Sequence, residues 1–121
     1  MRVWIYTRLS NDDDPERDSL QNQGRICREF AAQRGDHIVG LSSDDNISGM
    51  NFSRRGLSRL TAAVEAGGLD GVVVKDLSRL GRHRTQTALF IDYLRERGVR
   101  VLSATERLDT FREEDDLIIG V

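Results

Sequence analysis

Apolar and polar positions fall in short blocks along this chain, and the period of the blocks changes from two to about three and a half. Residues 3–7 form a brief run of β-branched and aromatic side chains, which predicts a first strand. Residues 11–18 are polar and acidic and hold the only proline, Pro15, so they predict a loop. Asp18 or Ser19 can cap the helix that follows, in which Leu20, Cys27, Phe30 and Ala31 share a face before Gly35 ends it. Residues 37–41 predict a second strand, and the polar stretch 42–55 a long, mobile loop. Leu57, Leu60 and Val64 space a second helix that stops at Gly67-Gly68. Residues 69–74 are the most apolar run and predict a central strand. An arginine-rich loop at 78–84 leads to a third helix carrying Leu89, Phe90, Tyr93 and Leu94, and residues 99–103 predict a fourth strand.

Strand and helix alternate, which predicts an α/β fold: a mainly parallel central sheet of about four strands, flanked by helices and joined by right-handed crossovers. A length of 121 residues suits one compact domain with a single core. Beyond that domain, residues 113–121 read as an acidic helix start running into Leu117, Ile118, Ile119 and Val121. That apolar run has nothing predicted to pack against, so the chain is expected to be part of a longer protein.

With 38% hydrophobic and 31% charged residues, the core is adequate and the surface strongly solvated. No apolar stretch approaches the roughly 20 residues that span a bilayer. The start of the chain lacks a signal-peptide pattern, which predicts a cytoplasmic protein with no membrane partner. Cys27 is the only cysteine, excluding an internal disulfide and predicting a small buried apolar side chain. The net charge of −2 does not advertise a nucleic-acid binder. The cations are nevertheless unusual in kind: Lys75 is the only lysine among 18 basic residues. Arginine's planar fork suits bidentate contact with phosphate.

In open parallel sheets, ligands bind beyond the carboxyl ends of the strands. By that rule the first strand delivers Arg8 and Ser10, the second Asp45, Ser48 and Arg54, and the third Asp76, Ser78, Arg79 and Arg82. Hydroxyls and arginines thus converge on one edge. Such a set suits phosphoryl transfer, because a serine hydroxyl attacks phosphate only when the charge it meets is neutralised. The acidic run Asp12 to Asp14 reads as a solvated loop, and neither His37 nor His83 has a second ligand partner, so no metal is assigned.

These residues carry a family resemblance. Tyr6-Thr7-Arg8-Leu9-Ser10 resembles the opening motif of serine recombinases, in which an arginine stands two residues before the nucleophile. Ser19-Leu20-Gln21-Asn22-Gln23 is similar to the stretch that follows it. Asp44 to Gly49 and then Arg54-Arg55-Gly56-Leu57 resemble the Ser-Gly and Arg-x-Gly segments. Lys75-Asp76-Leu77-Ser78-Arg79-Leu80-Gly81-Arg82 matches the paired-arginine motif, in wording most like the large recombinases of phage integrase and transposon type. Four motifs agree in order and spacing from Arg2 to about Thr110.

The resemblance implies a resolvase-like N-terminal catalytic domain over residues 1–121, with a long helix and DNA-binding domains following in the whole protein. It implies that Ser10 attacks a DNA phosphodiester to give a 5′-phosphoserine, and that strands then exchange and rejoin without metal, ATP or another cofactor. Arg8, Arg54, Arg79 and Arg82 would hold and activate the phosphate, with Gln23, Asp45 and Ser48 as supporting polar contacts. Ser78 stands where the small resolvases and invertases carry aspartate, which leaves Arg79 or Asp76 as general acid for the departing 3′ oxygen. The implied partners are double-stranded recombination sites and further copies of the chain, as dimer and synaptic tetramer, in a prokaryotic, phage or mobile-element setting. Two other readings compete. A receiver-type signalling module would use Asp12 to Asp14, Asp76 and Lys75, but the acidic run stands several residues past the strand end. A non-enzymatic DNA-binding or dimerisation domain would not need Arg8, Ser10, Arg79 and Arg82 together.

Overall fold

The computed structural model describes residues 1–46, 54–81 and 83–112. The sequence-predicted site residues Ser48 and Arg82, and the apolar stretch near the end of the chain, lie outside them. Strand β1 (Arg2–Leu9) is followed by helix α1 (Leu20–Arg34), β2 (His37–Asp45), α2 (Arg55–Ala66) and β3 (Gly71–Val74). A 3-10 turn (Leu77–Arg79), helix α3 (Arg84–Glu96), β4 (Arg100–Ser103) and β5 (Leu108–Asp109) complete the order.

The sheet runs β2-β1-β3-β4-β5, with every pairing parallel except β4 with β5. The mainly parallel α/β sheet matches the expectation, and the short antiparallel β5 is an addition to it. Only two residues long, β5 carries no periodicity that a sequence could reveal.

The two-residue alternation of the strands sorts the core into layers. Val3 and Ile5 of β1, Val73 of β3 and Leu102 of β4 pack with Cys27 and Ala31 of α1. Tyr6, Val72, Val74 and Val101 point the other way, onto Leu60 and Val64 of α2 and Ile91 and Leu94 of α3. Gly35 closes α1 in the left-handed conformation (φ 76°), and its N–H returns to the Ala31 and Ala32 carbonyls. The apolar face of α3 differs from the expected one: Ile91 and Leu94 are buried, Phe90 and Tyr93 half-buried, and Leu89 exposed.

Strand β2 continues to Asp45, so residues 42–45 are strand rather than loop. Polar side chains are tolerated there because β1 supplies partners in register. Trp4 Nε1 donates to Ser42 Oγ at 2.9 Å, Thr7 and Ser43 share a hydroxyl hydrogen bond of 2.6 Å, and Tyr6 Oη donates to Asp44 at 2.7 Å. Among the described residues, no helix is long and apolar enough to cross a membrane.

Candidate active site

Strand β1 pairs with β2 on one side and β3 on the other, so successive connections leave it in opposite directions. This is a topological switch point, where the loops beyond the strand ends part and leave a crevice. A cleft of about 400 Å³ lies there, lined by residues from the loop after β1 (Ser10, Asp13) and from the turn after β3 (Ser78, Arg79), with Arg8 between them.

Ser10 is half-buried just past β1. Its backbone N–H and its Oγ both donate to Asp13 Oδ2, at 2.8 and 3.1 Å, and the Asp13 N–H returns to the Ser10 carbonyl at 3.1 Å. The same Oδ2 accepts from Arg79 Nη1 at 2.6 Å. Asp13 was expected in a solvated loop; the tight turn brings it back over Ser10, and the ion pair with Arg79 holds it there. Burial raises the Asp13 carboxyl, but the hydrogen bonds from Arg79 and Ser10 outweigh it and hold the group below the usual carboxylate range.

Arg79 ends the 3-10 turn with its side chain 4% exposed. Beyond Asp13, it reaches the Arg8 carbonyl at 3.0 Å, Asp76 at 3.3 Å and Asp18 at 3.7 Å. Burial works against its charge, and the carboxylates more than restore it. Arg8 crosses from β1 to the loop after the turn and donates to the Ser78 and Gly81 carbonyls. Burial and the neighbouring Arg79 and Arg54 charges lower its affinity for the proton, although an arginine remains charged at neutral pH. Among the described residues, Nε of Arg8 and Nε of Arg79 have no hydrogen-bond partner.

A supporting layer lies beneath. Gln23 is fully buried and spends its amide on backbone: Oε1 accepts from Arg8 N at 3.2 Å, and Nε2 donates to the Arg8 and Asp18 carbonyls at 2.8 and 2.7 Å. It thereby ties the start of α1 to the end of β1 through backbone. Asp18 is ion-paired to Lys75, the chain's only lysine. Ser19, not Asp18, caps α1, accepting from Asn22 N at 3.1 Å. Asp76 accepts from the backbone N–H and hydroxyl of Ser78, which leaves Ser78 exposed at the cleft mouth.

Two other predicted residues stand apart. Arg54 is exposed at the start of α2, near enough to Tyr6 and Arg8 for its charge to act on both. Asp45 is exposed at the end of β2 and is not part of the cleft lining. Its neighbour Asp44 is the buried carboxylate, accepting from Tyr6 and from the backbone N–H groups of Gly56 and Leu57 at 2.7 and 3.0 Å. Strand parity decides between them: Asp44 shares the inward face of β2 with Ser42. Burial and the adjacent Asp44 carboxylate push the Tyr6 hydroxyl far above its ordinary value, keeping it neutral and donating. Sequence reasoning passed over Asp13, Asp18, Lys75 and Asp44. Only for Asp13 was a local signal present, its three-residue spacing from Ser10.

Fold, cleft and residue set together define a resolvase-type catalytic domain. The chain belongs to the family described as "Resolvase, N terminal domain", whose model matches residues 3–121. It is 31% identical over 107 residues to the serine recombinase Gin of Escherichia phage Mu, covering 87% of this chain and 48% of Gin. The chain thus spans about half the length of that relative. Among solved structures, it resembles the N-terminal catalytic domain of TP901-1 integrase, with a TM-score of 0.82 and 26% identity across 99% of this chain and 89% of that one. It also resembles the C-terminal catalytic domain of ISC1926 TnpA, an IS607-like serine recombinase. There the TM-score is 0.71 and the identity 28%, across 86% of this chain and 70% of that one.

Proposed function

We propose that this chain is the catalytic part of a site-specific DNA recombinase in which Ser10 is the nucleophile. The observation that carries the reading is the meeting of Ser10 with Arg8 and Arg79 in one cleft at the switch point of the sheet. The Ser10 Oγ attacks a DNA phosphorus; the Oγ–P bond forms as the P–O3′ bond breaks. The serine proton is released, the departing 3′ oxygen takes one up, and a 5′-phosphoserine and a free 3′ hydroxyl remain. A 3′ hydroxyl from another strand then attacks the same phosphorus and expels Ser10, rejoining the DNA. Each step exchanges one phosphate ester for another, so the reaction needs no ATP. Guanidinium groups can balance the charge that builds on the non-bridging oxygens without a metal or other cofactor.

In this reading Arg8, Arg79, Arg54 and Arg82 serve the phosphate, and Gln23 positions the strand end. Ser78, Asp45 and Ser48 are assigned supporting contacts, and the general acid is Arg79 or Asp76. The whole protein acts on double-stranded recombination sites as a dimer and then a tetramer, in the cytoplasm of a prokaryotic or phage-infected cell. The greater length of Gin supports reading this chain as one domain of a longer recombinase.

The test uses the full-length protein, DNA from the junction of its host element and no added metal, with denaturation before analysis. Wild type is expected to yield DNA covalently joined to protein, and Ser10→Ala none. An adduct that survives the substitution would place the nucleophile elsewhere. DNA binding without any adduct would favour a binding module.

A further inference from the structure

We infer that Asp13 is a built-in occupant of the phosphate position, an autoinhibitory carboxylate that holds Ser10 and Arg79 until a DNA phosphate displaces it. This inference rests on the roles proposed above for Ser10 and Arg79. One oxygen, Oδ2, accepts from Ser10 N at 2.8 Å, Ser10 Oγ at 3.1 Å and Arg79 Nη1 at 2.6 Å. An anionic oxygen set between a serine hydroxyl and a guanidinium is what a non-bridging phosphate oxygen would be at the moment of attack.

The surrounding charges make the same point. Arg79 has carboxylates of Asp13, Asp18 and Asp76 within 3.7 Å, and its side chain is 4% exposed. With Lys75 and Arg17 paired to Asp18, the cluster as a whole is neutral, three cations facing three carboxylates. A phosphodiester approaching this cluster meets an arginine whose charge is already covered by carboxylates. Arg79 can receive a phosphate only after a carboxylate leaves.

Of the three, Asp13 is the one placed to leave. Asp18 is 4% exposed and held by Lys75 as well as by Arg17 and the Asp14 N–H. Asp76 is tied into its own turn by Ser78. Asp13 sits on the polar loop between β1 and α1, and it lines the cleft beside Asn11 and Asp12. Turning it outward frees Arg79 Nη1 and the Ser10 hydroxyl in one movement and leaves the cluster with a net positive charge for an incoming phosphate. Among the described residues the buried Nε atoms of Arg8 and Arg79 have no hydrogen-bond partner, which fits a site whose donors are not yet fully used. Service as a general base is disfavoured, because the bonds that hold this carboxyl below its usual range make it a weak proton acceptor.

The probe is inorganic phosphate, titrated at neutral pH into this chain while the backbone amides of Ser10 and Arg79 are followed by NMR. If an occluded site weakens apparent binding by the fraction that is open, removing the occupant recovers it, here by about tenfold. Asp13→Asn and Asp13→Ala are each expected to bind phosphate about that much more tightly than wild type, with amides outside the cleft unshifted. Adding Arg79→Gln should erase the gain. Equal affinity in wild type and both variants, or a gain that persists without Arg79, overturns the inference. In the covalent-adduct assay, Asp13→Asn is expected to form adduct faster than wild type. An adduct in wild type but none in Asp13→Asn would make Asp13 a requirement of the chemistry and sink its inhibitory role. If no variant forms an adduct while the phosphate gain stands, the recombinase reading fails and the occupant role survives.

Discussion

Asp18 shows how a single buried carboxylate organises this site without lining it. It pairs with Lys75 and Arg17, lies 3.7 Å from Arg79, and lends its carbonyl to Gln23. Burial alone would raise its pKa, but the Lys75 and Arg17 hydrogen bonds press it far below the ordinary aspartate value of 3.8. A carboxyl that is more acidic folded than unfolded contributes its full stability above the unfolded value. It loses that contribution as the pH falls below 3.8 toward the folded value. Wild type is therefore expected to lose stability steeply below about pH 4. Asp18→Asn should be less stable at neutral pH and show a flatter acid limb. Urea midpoints taken from pH 3 to 7 would check this, and parallel curves for the two proteins would remove Asp18 from the acid sensitivity. Asp13 adds a smaller term of the same sign through its bonds to Arg79 and Ser10.

At the scale of elements, the site depends on how closely α2 approaches β2. Gly56, the glycine of the Arg-x-Gly segment, sits in the first turn of α2, and a Cβ there would lie 2.6 Å from the Ser43 carbonyl oxygen. That contact is with backbone, so the helix itself would have to shift. Asp44 holds the same helix start through the Gly56 and Leu57 N–H groups, satisfying two donors that a helix N-terminus leaves open. Gly56→Ala is expected to cost about 1–3 kcal/mol, the range for forcing extra volume into a packed region. It should also disturb Arg54, which immediately precedes the helix. Urea denaturation measures the loss, and an unchanged midpoint would mean that the helix start moves freely away from the strand.

At the scale of the whole molecule, the sheet separates two apolar layers, and Cys27 lies in the layer under α1. It is fully buried, and burial pushes its thiol up to about 12. Since thiolate is the reactive form, alkylation by iodoacetamide should be very slow in the folded chain. Labelling should rise with urea in step with global unfolding, because α1 must leave the sheet before the thiol is exposed. Fast labelling in the native range would instead show that α1 detaches on its own.

The periodicity of the chain was enough to determine the order of the first four strands and the three helices, the mainly parallel sheet, and the edge at which Arg8, Ser10, Ser78 and Arg79 meet. Each of those depends on local patterns: apolar runs, caps such as Ser19 and Gly35, and short motifs at the strand ends. Residues 42–45 misled as a loop because polar side chains read as solvated, whereas register with Tyr6 and Thr7 supplies their partners. Gln23 is legible as part of a motif, but its role emerges only when α1 folds back onto the end of β1. Tertiary structure alone decided which of Asp44 and Asp45 turns inward. It also decided that Lys75 meets Asp18 across 57 residues and that Arg79 meets Asp13 across 66. Pairings of that kind follow from where distant segments are brought together in space, and composition or local spacing carries no record of them.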